Sequence, residues 1–498
     1  MPPVDVCVVV EGSYPYVRGG VAKWTHDLLL GLPDITFALV TLVPDAEFTA
    51  EDKYPVPPNV LERHDVYLFG DTPHGQHRES SRKLKKQLEE MHDIPAATRC
   101  PYFHDVLDQM NKEGQTAFSL QTSRSSWELL TKLYEQRKRQ ISFLDYFWSW
   151  RATHGPIFRL IDAPLPDARV YHALSTGYAG LLAAVARHRM ECGMVLTEHG
   201  IYVRERQMEI SQAEWIFTEP REGSSYTPRE PFFKRWWREQ YQFLASLAYD
   251  TADRVVALQG YNARHQVAAG ARVETLVTIG NGVDVPRFAP LRAPRDWSNR
   301  PFRVGFIGRV VPIKDVITFL QAIAVASEEI ELEAFILGPT DEDPAYFQEC
   351  LSQQELLGIE KVAHFKGAVS VEAWLPDLDV TVLTSLSESQ PLAILEGWAA
   401  GIPSIATDVG ACREMIEGVE GEDALLGPAG IITAVASPGA TAAAIVALAR
   451  DPGRHSSMTA SGIARVERYY QLEGVFNAYR QLYREVAAMA EPPKAKGA

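Results

Sequence analysis

The sequence predicts an α/β protein with two doubly wound domains, each built on a parallel sheet covered by helices. Three observations lead to this prediction. The chain has 498 residues, more than the roughly 250 to 300 that one hydrophobic core accommodates. Apolar runs of strand length alternate with segments of helical periodicity. This alternation occurs in two separate series, and a long helical stretch interrupts the first.

The first series begins with DVCVVVEG, an apolar run that ends at a glycine. GGVAKWTHDLLLGL follows at helical spacing, and ITFALVTLV is a second apolar run. A strand, a glycine-rich turn, a helix and a strand form a βαβ unit, and strands without polar alternation are typical of a parallel sheet buried on both faces. ARVYHAL, MVLTEHG and ADRVVAL continue the series. We expect the first domain to cover residues 1–285.

The strand pattern stops between about residues 72 and 150. This stretch is charged and aromatic, with helical periodicity in SSWELLTKLYEQRKRQISFLDYFWSW, and it is longer than an ordinary connection. It predicts a helical insertion in the first domain. The second series begins at FRVGFIGR, continues through PSIATD and predicts a second domain over 286–465. We expect a helix over 466–490 that packs back on the first domain.

Composition excludes several classes of function. The formal net charge of −15 opposes binding to nucleic acid, which is driven by neutralisation of phosphates. No basic residue precedes the first apolar run, and no window reaches the roughly 18 consecutive apolar residues of a membrane helix. We therefore expect a cytoplasmic protein, which leaves open a peripheral place at the inner membrane in a synthase complex. The cysteines have no metal-ligand spacing and are expected to be free thiols: Cys7, Cys100, Cys192, Cys350 and Cys412.

Ligands of open α/β sheets bind at the carboxyl ends of the strands, and two such places carry groups suited to anions. Gly19 and Gly20 open a helix after the first strand, where backbone amides and the helix dipole favour an anion, although a plain tight turn explains them too. Arg309 and Lys314 follow VGFIG. A guanidinium fork and a mobile ammonium suit a diphosphate. Two solvated surface cations are the alternative.

Carboxylates and an imidazole follow other predicted strands. Glu388 lies in the loop before a helix that Pro391 helps to start, and Glu396 lies one or two turns inside that helix. If Glu396 points inward it needs hydrogen-bond donors, which ligand hydroxyls would supply. The alternative places Glu396 on the exposed stripe and makes Glu388 an acid that stabilises the helix dipole. His199 lies at the end of the predicted strand MVLTEHG. It can donate a hydrogen bond to a ligand, and the alternative is a purely structural role.

Other motifs argue against cofactor chemistry. GFIGRVVPIKD lacks the third glycine of the dinucleotide fingerprint, and the chain contains no Walker-type phosphate loop. Asp377 and Asp379 form a D-x-D sequence, but it leads straight into an apolar strand, so we interpret it as structural. The sequence therefore predicts neither a dehydrogenase, nor an ATPase, nor an essential metal.

These segments together resemble the retaining glycosyltransferases of family 4, which have the GT-B fold of two Rossmann-like parallel-sheet domains facing across a cleft. The most specific segment is SLSESQPLAILEGWAAGIPSIATDVG, which contains Glu388-x7-Glu396. GRVVPIKD, NGVDVPRF and ADRVVALQGYN are also similar. EGSYPYVRGGVAKW, LTEHGIYVRER and the insertion resemble the Pel exopolysaccharide glycosyltransferases. The chain departs from the common pattern at Ser389 and Gln390, where many relatives carry Gly-Phe or Gly-Leu.

The resemblance implies transfer of a sugar from a UDP-sugar to a growing bacterial exopolysaccharide, with membrane-embedded synthase partners. Arg309 and Lys314 would hold the donor diphosphate, and Glu396 would bind the ribose hydroxyls. A nucleotide-sugar epimerase and a non-catalytic nucleotide-sugar-binding subunit of a synthase complex are the alternatives. The implied catalytic residues are Glu388, His199, Arg309 and Lys314, and the implied binding residues are Arg309, Lys314, Glu388, Leu392, Glu396, Gly19 and Gly20.

Overall fold

The computed structural model describes residues 3–70, 77–93, 100–136, 141–213, 216 and 230–490. These residues divide into two compact units. Unit 1 takes the described residues within Met1–Ala257, Ala263–Thr278 and Tyr479–Ala498, and unit 2 takes Leu258–Asn262 and Ile279–Ala478.

Unit 1 is built on a parallel sheet whose described strands have the order β3-β2-β1-β4-β5-β6-β7. The central strands are continuous apolar runs and are buried on both faces, as the sequence predicted. The strands are β1 Val4–Glu11, β2 Phe37–Val43, β3 Val60–Tyr67, β4 Ala168–Ala173, β5 Gly193–Thr197, β6 Arg254–Ala257 and β7 Leu276–Thr278.

The sequence analysis missed β3. Its segment VLERHDVY contains charged residues, and most of its side chains are exposed or half-buried. The strand pairs with β2 on one side and lies at the edge of the sheet. An edge strand needs no continuous apolar run, so its residues carry no strong strand pattern.

The described part of the insertion consists of helices and short connections, and its last helix continues to Ile161 rather than ending near residue 150. It has a small aromatic core that includes Tyr146, Trp150 and Trp236. The helices that precede the second sheet are α1 Gly20–Gly31, α2 Arg82–Asp93, α3 Cys100–Glu113, α4 Ala117–Thr122, α5 Arg124–Gln136, α6 Phe143–Ile161, α7 Tyr178–Met190, α8 Tyr202–Gln212, α9 Phe232–Thr251 and α10 Gly260–Ala269.

Unit 2 repeats the doubly wound arrangement with the strand order β10-β9-β8-β11-β12-β13. Its described strands are all parallel. The sequence analysis missed the short edge strand β13. The strands are β8 Phe302–Ile307, β9 Leu332–Leu337, β10 Ala363–Gly367, β11 Val380–Leu383, β12 Ser404–Thr407 and β13 Gly430–Thr433.

The remaining helices cover this sheet or follow it. They are α11 Val285–Phe288, α12 Val316–Ser327, α13 Pro344–Leu357, α14 Val371–Trp374, α15 Leu392–Ala399, α16 Cys412–Glu417, α17 Pro438–Arg450, α18 Pro452–Tyr469 and α19 Leu472–Met489. Within the described residues, no helix is long and apolar enough to cross a bilayer.

The segment over 466–490, expected to be one helix, is the end of α18 followed by α19. The break occurs at Tyr470, whose carbonyl accepts from Val283 N at 2.8 Å, while Leu472 N donates to Val283 O at 3.1 Å. These bonds use backbone groups that a continuous helix would need for itself. They also tie Val283 to unit 2, so the expected boundary at residue 285 lies inside that unit.

The later part of α19 belongs to unit 1. Tyr479 is buried against the Trp24 ring, with centroids 5.4 Å apart, and Tyr483 OH lies 2.7 Å from His172 Nδ1. Four cysteines are buried free thiols: Cys7, Cys192, Cys350 and Cys412. The side chain of Cys100 lies outside the described residues.

Candidate active site

Unit 2 has its switch in strand order between β8 and β11. On one side the sheet continues through β9, and on the other through β12, so the two loops that follow β8 and β11 diverge. Ligands of doubly wound sheets bind in the crevice at this point, outside the carboxyl ends of the strands. The loop after β8 carries Arg309 and Lys314, and the loop after β11 carries Glu388.

An ion pair between Lys314 and Glu388 spans this switch point. Lys314 Nζ donates to Glu388 Oε1, and Ser385 Oγ donates to the same oxygen at 2.7 Å. The side chains of Lys314 and Glu388 are 20% and 11% exposed. Partly buried charges of opposite sign stabilise each other only when the backbone holds them in place. The pair therefore depends on the loops that carry it.

Hydrogen bonds fasten the two loops to each other. Leu386 N donates to Ile313 O at 2.8 Å, and Thr384 Oγ1 donates to Asp315 O at 2.8 Å. The loop after β12 adds a close backbone contact, because a Cβ at Gly410 would lie 1.9 Å from Glu388 O, and the φ of Gly410 is +56°. Only glycine fits there. These contacts hold the backbone of Glu388 in a fixed position.

The helix that follows Glu388 presents an open amino end. Among the described residues, no side chain caps α15, whose N-cap is Pro391 and whose first residue is Leu392. By contrast, Asp315 caps α12 through Thr318 N, and Asp343 caps α13. The unpaired amides and the dipole at an uncapped helix start attract an anion. With Lys314 beside Glu388 in the same loop system, the start of α15 is the part of unit 2 best suited to a phosphate group.

Arg309 lies in the loop after β8 and pairs with Glu342, which follows β9. Both side chains are about two-fifths exposed, at 40% and 43%. An exposed pair of this kind contributes about 0 to 1 kcal/mol. Arg309 can therefore exchange Glu342 for a ligand phosphate at little cost.

Glu396 and Leu392 lie on α15. Both are half-buried, and Leu392 packs against the hydrophobic core of unit 2. Glu372 and, more weakly, Glu396 raise the pKa of Arg287, so the Glu396 side chain lies near that guanidinium. Glu396 is thus on neither a fully exposed nor a fully buried face of the helix.

Ser389 and Gln390 fasten the Glu388 loop to the segments through which the chain enters unit 2. Asn262 Nδ2 donates to Ser389 Oγ at 2.6 Å. Asn281 N donates to Gln390 Oε1, and Asn281 Nδ2 donates to Gln390 O at 3.0 Å. Asn262, Asn281 and Gln390 are buried. The departure from the common Gly-Phe or Gly-Leu sequence therefore has a structural role in this chain.

The D-x-D sequence is used for packing. Arg300 donates two hydrogen bonds to Asp379, at 2.6 and 2.7 Å, and Arg303 N donates a third at 2.8 Å. Asp377 accepts from Arg303 at 3.1 Å. Asp379 is fully buried, and both of its carboxylate oxygens accept hydrogen bonds from the arginines. Within the described ranges, no group of three His, Cys, Asp or Glu side chains is placed to hold a metal ion.

In unit 1 the switch in strand order lies between β1 and β4, and the side chain of Glu11 lies there. The Glu11 carboxylate accepts from Ser175 Oγ at 2.5 Å and from Ala179 N, in the first turn of α7, at 2.8 Å. An internal anion therefore occupies the start of α7. The sequence analysis missed Glu11 because a glutamate that ends an apolar strand gives no sign of the helix it will cap.

Gly19 and Gly20 lie at the start of α1, which no side chain caps. A Cβ at either position would meet no heavy atom within 4 Å, so the two glycines leave open space around this backbone. Their predicted approach to a phosphate or an acceptor stays a prediction.

His199 follows β5, and its ring lies 4.4 Å from that of Trp24. Burial lowers the pKa of His199 to about 4, so the imidazole is neutral at pH 7. Its Nε2 is buried and has no hydrogen-bond partner among the described residues. A neutral ring with an unpaired nitrogen can donate or accept one hydrogen bond without a change of charge.

The neighbouring Glu198 is buried and held by donors from several elements. It accepts from Tyr249 OH, from Thr176 Oγ1 at 3.0 Å and from Gln266 Nε2 at 3.2 Å. Burial raises the pKa of Glu198 to about 7. Glu198 therefore fixes the backbone that carries His199, and its burial could not be predicted from the sequence.

Residues 4–274, more than half of the 498 residues, match the family described as a domain of unknown function (DUF3492). The chain belongs to the DUF3492 family. Residues 301–451 of this DUF3492 protein match the family described as glycosyl transferases group 1. This matched stretch lies in unit 2 and contains the Lys314–Glu388 pair.

Solved structures confirm the predicted GT-B fold of two Rossmann-like parallel-sheet units. Sucrose-phosphate synthase from Thermosynechococcus elongatus has a TM-score of 0.59 at 16% identity, over 97% of this chain and 99% of that one. HepE of Anabaena, in complex with UDP, has a TM-score of 0.58 at 15% identity, over 96% and 99% of the two chains. At these identities the likeness establishes the fold.

Curated relatives are more similar in sequence but match over shorter stretches. D-inositol 3-phosphate glycosyltransferase 2 of Catenulispora acidiphila is 28% identical over 44% of this chain and 53% of its own. MMP alpha-(1->4)-mannosyltransferase of Mycolicibacterium hassiacum is 27% identical over 48% and 53%. The DUF3492 chain spans about half the length of these relatives.

The Gln390 bonds generate a stability prediction. Gln390→Leu keeps the side-chain volume but leaves the buried Asn281 N–H without its acceptor, which costs about 1 to 3 kcal/mol. We expect the urea midpoint of the unit 2 transition to fall accordingly. Gln353→Leu on α13, at a half-buried site, is the control and should shift it little. Equal midpoints for Gln390→Leu and the wild type would contradict the assigned bonds.

The raised pKa of Glu198 generates a pH prediction. The folded state holds this proton more tightly than the unfolded chain, so the contribution of Glu198 to stability is complete below about pH 4.5 and is lost as pH rises through about 7. Glu198→Gln removes this titration. Between pH 5 and 8 the thermal midpoint of the wild type should therefore fall about 2 to 6 °C more than that of the variant. Glu209→Gln, exposed on the following helix, should follow the wild type, and parallel curves for all three proteins would refute the prediction.

Proposed function

We propose that this DUF3492 protein is a retaining glycosyltransferase that takes its sugar from a UDP-sugar. One observation carries the proposal: in a glycosyl transferases group 1 domain, the Lys314–Glu388 pair lies at the switch point of the sheet, in the loop system that leads to the uncapped start of α15. A cation, a helix amino end and a carboxylate are the groups that cleavage of a sugar-phosphate bond requires.

The chemistry places charge at two positions. Breaking the sugar-phosphate bond develops negative charge on the departing diphosphate and positive charge at the anomeric carbon. Lys314 has three N–H donors and gives one to Glu388, so two are left for phosphate oxygens. The start of α15 supplies amides, and Arg309 can leave Glu342 for the same ligand. Fixed hydrogen-bond donors that point at the charge developing in the transition state make the largest single contribution to the rate enhancement of many enzymes.

In this proposal, Glu388 stabilises the positive charge that develops at the anomeric carbon. Its carboxylate is held by Lys314 and Ser385, so it is oriented before the donor binds. A carboxylate near the anomeric carbon stabilises an oxocarbenium-like transition state. Glu396 is proposed to bind the ribose hydroxyls, and Leu392 to contribute its amide and apolar side chain at the nucleotide.

For unit 1 we propose that His199 contacts the donor sugar as a neutral hydrogen-bonding group. Its low pKa supports this, because a ring that stays neutral keeps the same donor and acceptor between pH 5 and 8. Gly19 and Gly20 are proposed to admit the distal phosphate or the acceptor to the start of α1.

The nucleotide is proposed to be a uridine diphosphate. HepE shares the fold and its structure contains UDP, which supports the class of donor. The acceptor is proposed to be a growing bacterial exopolysaccharide of the Pel type, which would make the chain a PelF protein that works in the cytoplasm with membrane-embedded synthase partners. The segments EGSYPYVRGGVAKW and LTEHGIYVRER and the helical insertion support this assignment.

Replacement of the ion-pair residues tests the mechanism. Lys314→Ala should lower kcat for transfer about 100-fold or more and weaken UDP binding, because a fixed phosphate donor is lost. Glu388→Gln keeps the shape, so it should abolish transfer with little change in the Kd of UDP. Transfer is measured as UDP release in the presence of an oligosaccharide acceptor, with anomer analysis of the product by NMR.

Lys361→Ala and Glu360→Gln, both exposed in the same unit, are the controls and should behave as the wild type. Normal turnover by Lys314→Ala or Glu388→Gln would exclude the proposed mechanism. Conversion of the UDP-sugar without any acceptor would identify an epimerase, and UDP binding without either reaction would identify a binding subunit.

We also propose that transfer needs no metal. Lys314, Arg309 and the α15 amides can neutralise a diphosphate, and Asp379 is engaged by Arg300. Transfer should therefore continue within about twofold of its rate after dialysis against EDTA. A loss of transfer that Mg²⁺ or Mn²⁺ restores would refute this.

A further inference from the structure

The helical insertion contains a cavity that the proposed transfer reaction does not use. It has a volume of about 670 Å³ and lies among α4, α5, α6 and the loop after β3. Sites for small molecules usually have volumes of about 300 to 1,000 Å³. The described residues that line the cavity belong to unit 1, and none of them is a residue assigned above to the glycosyltransferase site.

Exposed aromatic rings line the cavity. Trp127 is 50% exposed, Trp148 is 57% exposed and Phe69 is 43% exposed. Tryptophan is usually much more buried than this in a soluble protein. Phe147 supports both indoles, with centroids 6.1 Å from Trp127 and 5.3 Å from Trp148. The rings are held in place by packing, and their exposed faces are available for stacking.

The charge of the cavity is opposite to that of the protein. Arg124, Arg151 and Arg159 line it, and no described Asp or Glu does, although the chain has a net charge of −15. The described lining thus offers guanidinium, indole and hydroxyl donors without a side-chain carboxylate acceptor. A ligand that satisfies these donors must bring many acceptor atoms of its own.

The three arginines are engaged to different degrees. Arg124 Nε lies 3.0 Å from Glu128, and Arg159 Nη2 donates to Gly70 O at 2.6 Å. Arg151 is exposed and lies over the rings of Phe147 and Trp148, at 5.9 and 6.0 Å from their centroids. Within the described residues Arg151 forms no ion pair. An arginine beside stacking surfaces can bind an anionic group while a flat ring lies on the indole.

We propose that this cavity binds a nucleoside phosphate at a second site, separate from the proposed donor site of unit 2. A base stacks on Trp127 or Trp148, and the phosphate accepts hydrogen bonds from Arg151. Stacking of a base on an aromatic side chain is worth about 1 to 3 kcal/mol and suits any base. A neutral sugar fits less well, because it brings no negative charge for the guanidinium group of Arg151.

The test measures nucleotide binding to the full chain by calorimetry, with ADP, GDP and UDP as probes. Inorganic phosphate and an oligosaccharide of glucuronic acid are the comparison ligands. Lys314→Ala serves as the background, because it weakens the proposed donor site in unit 2. At least one nucleotide should bind this background protein, and adding Arg151→Ala or Trp148→Ala should weaken that binding about tenfold or more.

Arg235→Ala is the matched control. Arg235 also lies 5.9 Å from the centroid of a phenylalanine ring, that of Phe232, but it is outside the cavity. It should leave the Kd of the nucleotide within about twofold of the background. Arg151 and Trp148 are exposed, so their variants should keep the thermal midpoint of the parent, which separates lost binding from lost folding.

Three results would overturn the proposal. The first is nucleotide binding that neither Arg151→Ala nor Trp148→Ala changes. The second is inorganic phosphate binding as tightly as the nucleotides, since the ring would then contribute nothing. The third is binding of the uronate oligosaccharide alone. These outcomes do not depend on whether unit 2 transfers a sugar, because transfer is measured separately in the Lys314 and Glu388 variants.

Discussion

The ion pair between Lys314 and Glu388 is the interaction on which the proposed site depends. Each side chain is largely withdrawn from water, and a charge in that position is tolerated only while its partner stays in place. The loop after β8, the loop after β11 and the glycine turn at Gly410 together provide that fixed geometry. In the proposed reaction, a diphosphate at α15 would meet an ammonium and a carboxylate that are already oriented, so little reorganisation would accompany bond cleavage.

The two units share a topology but differ in what occupies their switch points. In unit 1 the carboxylate of Glu11 accepts from the first turn of α7, so this helix start is already satisfied by an internal anion. In unit 2 the corresponding helix, α15, has no side-chain cap. The starts of these two corresponding helices therefore differ, because an internal anion occupies the start of α7 and none of the described side chains caps α15. This difference explains on physical grounds why the diphosphate is assigned to unit 2.

Much of the fold could be predicted from the sequence, because strands buried on both faces of a parallel sheet must be continuous apolar runs. β1, β2, β8 and β11 are such runs. The edge strand β3 could not be found this way, since among the described strands it pairs only with β2, and the polar run from Glu62 to Asp65 interrupts its apolar residues. The break between α18 and α19 also escaped prediction, because it depends on bonds to Val283, far away in the sequence.

The site could be predicted in part for the same reason. Residues that follow apolar strands reach the carboxyl edge of the sheet, which pointed to Lys314 and Glu388. The partners of the individual side chains could not be predicted from the sequence. Arg309 pairs with Glu342, and Gln390 bonds to Asn281, more than 100 residues away in the chain. Such partners are set by packing of the loops, and no local pattern encodes them. The roles of His199, Gly19 and Gly20 stay predictions.

The most direct test of the central claim is a crystal structure of the protein with UDP. The account predicts phosphate oxygens at hydrogen-bond distance, about 2.7 to 3.2 Å, from Lys314 Nζ and from the first amides of α15, with Arg309 turned from Glu342 toward the ligand. A structure in which the diphosphate lies elsewhere in unit 2, with the start of α15 unoccupied, would contradict it.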